Sequence, residues 1–132
     1  MPITPVVRYM ILCEDWGTDA DSPNRVNIYG LLTNIRPIDQ PAYPLLFREL
    51  CVFLVLTEGR ERGDGQIVCV SADTLERVFE TPKREIAFGA DPLEVVGVPF
   101  RIRDCPFPQG GLYLLQFWYN DVEVEHRPLR LR

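Results

Sequence analysis

The side chains that most often perform chemistry in proteins are few and widely spaced in this chain. It has one histidine, His126, and four cysteines. A histidine-based zinc site or an acid–base dyad needs partner residues, and no two cysteines have the C-x-x-C spacing of a metal or redox site. Folding would have to bring a cysteine such as Cys105 to His126 to make a nucleophile pair. We therefore predict that the protein is not an enzyme and uses no cofactor.

An acidic segment is the best candidate for a metal site. Four carboxylates lie in eight residues without a compensating lysine or arginine: Glu14, Asp15, Asp19 and Asp21. Calcium prefers such oxygen ligands, but the spacing matches no EF-hand, because the glycine precedes Asp19 and no glutamate follows at the required distance. We interpret residues 14–21 as a solvated loop and keep calcium binding as a remote alternative. Trp16 in this segment is a candidate contact with a partner.

Glycine-rich and basic segments lack the patterns that bind nucleotides or nucleic acids. The stretch "GRERGDGQ" has no G-x-x-x-x-G-K-[ST] motif, and we interpret its Arg62-Gly63-Asp64 adhesion tripeptide as a chance occurrence in a hairpin loop. The terminal "EHRPLRLR" carries three arginines, which we expect to protect an edge strand from pairing. With a net charge of −5, the chain has no nucleic-acid footprint.

The N-terminal segment and the cysteines together favour a cytoplasmic protein. "MPITPVVRYMILCEDWG" lacks a basic start and runs into Glu14-Asp15, so we predict a first strand, not a signal peptide. No apolar run reaches the roughly 20 residues of a membrane span. In the cytoplasm the default state of Cys13, Cys51, Cys69 and Cys105 is the reduced thiol. We predict buried structural thiols, with two disulfides as the alternative.

The elements that must position these residues are predicted to be strands. The length of 132 residues suits one domain, 1–132, and prolines and glycines interrupt the apolar runs at strand length. We predict an all-β, antiparallel β-sandwich of about 7–9 strands, immunoglobulin-like or of a related Greek-key type, with a barrel as the alternative. The predicted strands are 6–14, 25–36, 49–58, 66–72, 77–81, 84–88, 95–103, 112–120 and 122–131. At most one or two short helical turns are expected, in "YPLLFREL" and "ADPLEVV", while "SADTLERVFE" is predicted as a hairpin despite its helix-capping spacing.

The last hairpin can be predicted residue by residue. If Asn120-Asp121 is a two-residue turn, Tyr119 faces Val122 and Trp118 faces Glu123. The pairs further out are Phe117–Val124, Gln116–Glu125, Leu115–His126, Leu114–Arg127 and Tyr113–Pro128. Side chains alternate across a strand, so we predict Tyr113, Leu115, Phe117 and Tyr119 in the core. Trp118 is then the ring nearest to solvent and a candidate partner contact.

Four segments carry a resemblance to a known family. "ILCEDW", "NRVNIYGLLTNI", "YPLL" and "LCVFLVLTEG" occur in this order, and the chain resembles a family of short bacterial proteins of unknown function. The closing "GGLYLLQFWYNDVEVEHRPLRL" is similar to the last hairpin of immunoglobulin-like sandwiches. The first resemblance covers most of the chain and implies no activity. The second implies a fold only, because sandwiches serve many functions.

Two functions remain open at this stage, both without catalysis. The first is a binding or assembly module that contacts a protein partner or another copy of itself through loops or edge strands. The proline-stiffened loops "IRPIDQPAYPLLF" and "DCPFPQGG" support it with Tyr43, Phe47 and Phe107, unless these rings pack over the open end of the sandwich. The second is a small-ligand carrier with an apolar pocket between the sheets or under these loops.

Overall fold

The computed structural model describes residues 3–132, and their regular structure is entirely β. There are ten strands: β1 (Val6–Thr18), β2 (Val26–Leu31), β3 (Asn34–Ile35), β4 (Leu45–Thr57), β5 (Arg62–Ser71), β6 (Arg77–Glu80), β7 (Arg84–Ala87), β8 (Val96–Phe107), β9 (Gly111–Tyr119) and β10 (Val122–Leu131). Within this range no helix is long and apolar enough to cross a membrane.

The strands form two sheets that pack face to face. One sheet has the order β2-β1-β4-β8, and the other has the order β3-β10-β9-β5-β6, with β7 also pairing with β5. The predicted all-β sandwich is confirmed. It is not purely antiparallel, because the short β3 pairs with β10 in parallel.

Three differences from the predicted strands have local causes. The predicted strand 25–36 is two strands, because the chain crosses from one sheet to the other between Leu31 and Asn34. The helical turn considered in "YPLLFREL" is wrong: Leu45 already pairs with Phe107, so sheet pairing overrides the helix-start signal of Pro44. β1 extends to Thr18, so part of the predicted acidic loop is strand.

The core lies between the inner faces of the two sheets. Alternate residues of β4 supply one side, and Leu50, Val52, Leu54 and Leu56 have no exposed surface. β9 supplies the other side through Tyr113, Leu115, Phe117 and Tyr119, each no more than 3% exposed, as predicted. All four cysteines are free and buried, which confirms the prediction of buried thiols.

The β9–β10 hairpin confirms the predicted turn but corrects the register beyond it. Asn120 and Asp121 have φ values of 49° and 65°, and the Tyr119–Val122 and Trp118–Glu123 pairs form as predicted. A bulge between Glu123 and Glu125 then shifts every later pair by one residue. The observed pairs are Phe117–Glu125, Gln116–His126, Leu115–Arg127, Leu114–Pro128 and Tyr113–Leu129.

Candidate functional site

A cleft of about 670 Å³ lies at one end of the sandwich. β4 begins and β8 ends at this position, and the turn between β5 and β6 closes it from the opposite sheet. The cleft is lined by Pro44, Leu45, Leu46, Ser71, Thr74, Glu76, Arg77, Val78, Pro106, Phe107, Pro108, Gln109 and Tyr113. The two proline-containing loops named from the sequence therefore lie around the same apolar cleft.

The floor of the cleft is a rigid cluster of aromatic rings. Phe107 has no exposed surface and packs edge-on against Phe79 and Tyr113, with ring centroids 5.6 and 5.1 Å away. The Tyr113 hydroxyl donates a 2.6 Å hydrogen bond to the Gln109 carbonyl oxygen. Burial raises the pKa of this hydroxyl above its ordinary value. Because its hydroxyl already donates a hydrogen bond to Gln109, Tyr113 contributes its apolar ring to the floor of the cleft.

The rim combines an exposed leucine with a half-exposed arginine. The side chain of Leu46 is 63% exposed. On the opposite wall, the Arg77 guanidinium donates a 2.6 Å hydrogen bond to the Glu80 carboxylate and lies 5.0 Å from the centroid of the Trp118 ring. Trp118 itself is half-buried on the outer face of its sheet, where its Nε1 donates to Gln116 Oε1 at 3.0 Å. Arg77 therefore connects Trp118 to the rim, although Trp118 does not line the cleft.

The cleft lies between the edges of both sheets. β6 and β8 are each the last strand in the order of their sheets. An edge strand presents a row of backbone groups that can pair with another chain. On β8 this pairing is restricted by Pro99 and Pro106, which lack an N–H group, and by the exposed Arg101 and Arg103. The edge of β6 carries no proline over Arg77–Glu80 and is the more accessible template.

The other aromatic candidates lie elsewhere. The Tyr43 hydroxyl donates to the Arg132 carbonyl oxygen at 2.9 Å, next to the turn that precedes β9. Phe47 packs partly against the core and lines a separate depression of about 330 Å³. Trp16 lies on the outer face of the four-stranded sheet, 5.4 Å from the Phe53 ring. Of the five predicted partner contacts, only Phe107 lines the cleft.

The acidic segment does not assemble a metal site. The Asp15 carboxylate accepts a 2.8 Å hydrogen bond from Arg101, and the Asp19 carboxylate accepts one from the backbone N–H of Asp21 at 3.0 Å. Between residues 3 and 132, no three histidine, cysteine or acidic side chains group as a metal ion requires. The calcium hypothesis, which rested on Glu14, Asp15, Asp19 and Asp21, therefore gains no geometric support.

The nucleophile pair considered for Cys105 does not form either. Cys105 is fully buried in the core, and its thiol lies 3.6 Å from the Ile102 carbonyl oxygen. His126 is exposed on β10, and its Nδ1 lies 3.2 Å from a Glu123 carboxylate oxygen. The two side chains thus occupy different environments, one in the core and one in solvent.

Sequence reasoning missed the part of the cleft that the six-stranded sheet supplies. Ser71, Arg77 and Val78 carry no local signal of binding, since the sequence predicts each as an ordinary strand residue. They meet only because the turn between β5 and β6 packs beside the end of β8. The prolines at 44, 106 and 108 lie in the two loops named from the sequence, and all three line the cleft.

Comparison with known proteins places the chain in an uncharacterised group. Residues 8–132 match a family model whose description is a family of unknown function, DUF6941. No curated protein matches the chain. The match agrees with the resemblance to a family of unknown function and brings no activity with it.

Proposed function

The chain belongs to DUF6941, a family of unknown function, and we propose that it is a non-enzymatic binding module for an extended segment of a partner protein. The segment lies in the end cleft, places a large apolar side chain against the accessible Leu45, Leu46 and Val78, and pairs its backbone with the edge of β6. The observation that carries this proposal is the position of an apolar cleft beside an edge strand.

Edge pairing and a side-chain pocket together form a known mode of peptide recognition. Main-chain hydrogen bonds to an edge strand give affinity, and pockets for alternate side chains give specificity. The cleft supplies the pocket, and β6 supplies four residues of edge, Arg77–Glu80. Polar groups at the rim, Glu76 and Arg77, suit polar residues that flank the apolar side chain in the bound segment.

The walls of the cleft favour binding because they are already ordered. Pro44, Pro106 and Pro108 have a fixed backbone φ and no side-chain freedom to lose, so the cost of ordering the site on binding is small. Arg77 contacts Glu80 and the Trp118 ring, but this ion pair is half exposed, so Arg77 is held weakly and can turn towards a polar group of the partner.

A small-ligand carrier is the second candidate, and the size of the cleft favours it. Small-molecule sites commonly have volumes of about 300–1,000 Å³. The space between the sheets is filled by the core cluster, which includes Leu54, Phe117 and Leu129. A carried ligand would therefore occupy the same end cleft, under the proline loops.

We also propose a cytoplasmic location, a bacterial origin and an immunoglobulin-like relationship. Neither candidate function depends on them.

The experiment that tests the proposal selects partners from a displayed library of random peptides. Peptides enriched on the wild-type protein are synthesised, and their Kd is measured against two variants, Leu46→Lys and Leu93→Lys. Both leucines are more than 60% exposed, but only Leu46 lines the cleft. We expect enrichment of peptides with a central large apolar residue and a Kd at least about tenfold weaker for Leu46→Lys alone, a loss of about 1.4 kcal/mol.

Three results would contradict the proposal. Enriched peptides whose Kd is equally insensitive to both substitutions would place the binding surface elsewhere. A library that yields no binder, combined with a small molecule retained by the purified protein in native mass spectrometry, would favour the carrier. Concentration-dependent dimers that Leu46→Lys dissociates would instead identify a second copy of this chain as the occupant.

A further inference from the structure

Two of the four cysteines lie directly opposite each other in the four-stranded sheet. Cys13 on β1 and Cys51 on β4 are register partners in an antiparallel ladder. Both are free and have no exposed surface. In the sequence they are 38 positions apart, so only the fold brings them together.

This arrangement meets the geometric requirement for a disulfide. Residues directly opposite in an antiparallel pair have Cα atoms about 4.5–5.5 Å apart. Disulfides form over Cα separations of about 4.4–6.8 Å. Cys13 and Cys51 can therefore be joined without moving either strand to a new register.

An arginine on the neighbouring strand covers the thiol pair. Arg101 on β8 is the register partner of Cys51, so Cys13, Cys51 and Arg101 form one row across three strands. The Arg101 guanidinium reaches Asp15 on β1, with a 2.8 Å contact to the carboxylate, and lies 5.3 Å from the Trp16 ring centroid. Because β4 lies between β8 and β1, this side chain passes over Cys51. We name Arg101, Asp15 and Trp16 the arginine bridge.

The arginine bridge can open without disturbing the core. The Arg101 and Asp15 side chains are 48% and 52% exposed. Exposed ion pairs hold their side chains weakly, since water and salt compete for both charges. Displacing Arg101 therefore uncovers the thiols from the solvent side of the sheet, while the inner-face residues Leu12 and Val52 remain packed.

We propose that Cys13 and Cys51 are an oxidation site that forms an intramolecular disulfide, with the arginine bridge controlling access to it. The oxidant is a small peroxide. One thiolate attacks the O–O bond to give a sulfenic acid and one hydroxide, which takes up a proton as water. The second thiol attacks the sulfenic sulfur, the S–S bond forms, and the sulfenic oxygen leaves as a second water. Two electrons pass from the thiols to the peroxide.

The rate of the first step is expected to rise with pH. Burial raises the pKa of Cys51 to about 12; the neighbouring Cys13 and Asp15 add to this increase, and the positive charge of Arg101 opposes it. Only the thiolate reacts, so a tenfold increase in thiolate accompanies each pH unit below that pKa. The site is therefore slow at neutral pH unless the arginine bridge opens and exposes the thiols to water.

The test uses Asp15→Asn with Asp121→Asn as its matched control. Each substitution breaks one exposed ion pair, Asp15–Arg101 or Asp121–Lys83, but only the first covers the thiols. Folded protein is treated with hydrogen peroxide, quenched with an alkylating reagent, digested and analysed by mass spectrometry. We expect a Cys13–Cys51 cross-linked peptide in the wild type, absent in Cys13→Ser, that forms severalfold faster in Asp15→Asn and at the wild-type rate in Asp121→Asn. Circular dichroism confirms that each variant is folded.

Other outcomes would overturn the proposal. Oxidation of Cys69 or Cys105 before Cys13 and Cys51 would show that the pair is not the preferred site. Sulfinic acids on separate cysteines without a cross-link would show that the two sulfurs cannot meet. Equal rates in Asp15→Asn and Asp121→Asn would remove the role of the arginine bridge. Arg101→Met separates access from charge, because loss of the Arg101 charge raises the pKa of Cys51 whereas loss of the Asp15 charge lowers it. We expect faster oxidation in Arg101→Met as well, and a rate equal to or below that of the wild type would contradict the proposal.

Discussion

At the scale of single residues, Phe117 is the clearest test of the core. Its ring has no exposed surface and lies 6.3 Å from the Tyr119 ring. Truncation removes an aromatic side chain from the centre of β9 and leaves a cavity that the two sheets cannot close. We expect Phe117→Ala to lower the free energy of unfolding by about 3–5 kcal/mol in urea titrations. A loss below about 1 kcal/mol would mean that this face of β9 is not in the core.

Tyr119 carries a polar atom without a partner. Its hydroxyl is buried and has no hydrogen-bond partner in the described part of the chain, and the ring lies against Gly63. A buried hydroxyl without a hydrogen bond costs about 1–3 kcal/mol relative to water. We therefore expect Tyr119→Phe to leave stability unchanged or raise it by about 1 kcal/mol, measured as above. A loss of more than about 1 kcal/mol would show that the hydroxyl is bonded in solution.

Packing against Tyr119 explains the glycine of the Arg62-Gly63-Asp64 tripeptide. A Cβ atom at Gly63 would lie 2.1 Å from the Tyr119 hydroxyl oxygen, so no larger residue fits against this ring. Arg62 pairs with Glu85 on β7 at 3.2 Å. The tripeptide lies in strand β5 and not in the hairpin loop predicted for it, and packing accounts for its glycine.

At the scale of elements, the hairpin β9–β10 shows what the sequence can and cannot predict. The Asn120-Asp121 pair tolerates positive φ, so the turn and the buried face of β9 followed directly from residue types. The bulge after Glu123 has no comparable signal, because Val124 and Glu125 are ordinary strand residues. One extra residue displaced every later pair, although it left the buried face of β9 unchanged.

The candidate site is also only partly predictable from the sequence. Proline-rich loops are visible in the sequence, and their Pro44, Pro106 and Phe107 line the cleft, whereas the loop residues Tyr43 and Phe47 do not. The contribution of Arg77 and Val78 depends on which strand ends beside β6, and strand order is set by long-range packing. The Cys13–Cys51 pair depends on the same information, because cysteines on different strands give no sequence signal of adjacency.

The turn between β5 and β6 contains a residue that its backbone conformation disfavours. Leu75 has a φ of 62° and its side chain is 68% exposed, so it gains little from burial. The left-handed conformation costs most residues about 1–2 kcal/mol, and asparagine tolerates it better. We expect Leu75→Asn to raise the free energy of unfolding by about 0.5–1 kcal/mol.

The control for this turn is Leu93→Asn. Leu93 is 77% exposed and is not among the residues with positive φ. The same change of side chain should therefore alter stability by less than about 0.5 kcal/mol, as is usual for surface substitutions. An equal gain at both positions would attribute the effect at Leu75 to hydrophobicity and not to backbone strain.

At the scale of the whole molecule, the two proposed sites occupy different surfaces. The cleft is formed by the end of the sandwich, whereas the Cys13–Cys51 pair lies on the outer face of the four-stranded sheet. Two strands contribute to both sites: β4 through Leu46 in the cleft and Cys51 in the pair, and β8 through Phe107 in the cleft and Arg101 over the thiols. Oxidation of the pair and occupation of the cleft can therefore be measured separately.

The buried thiols give the whole fold a sensitivity to alkali. Burial raises the pKa of Cys51 and of Cys105 to about 12, and it raises the pKa of Cys13 and Cys69 above the ordinary value of 9.0. The unfolded chain releases these protons near pH 9, while the folded chain retains them. Above that pH the unfolded state binds fewer protons, so the free energy of unfolding falls as the pH rises.

The expected size of this effect can be tested with one substitution. Each thiol contributes a slope of about 1.4 kcal/mol per pH unit between its unfolded and folded pKa values. Stability should be nearly independent of these groups below about pH 8 and fall steeply between about pH 9 and 11. Cys69→Ala removes one titrating thiol. Between about pH 9 and 11 its free energy of unfolding should therefore fall by about 1.4 kcal/mol less per pH unit than that of the wild type. Urea titrations in reductant from pH 7 to 11 measure both slopes, and parallel curves for the two proteins would show that Cys69 ionises in the folded state as readily as in the unfolded chain.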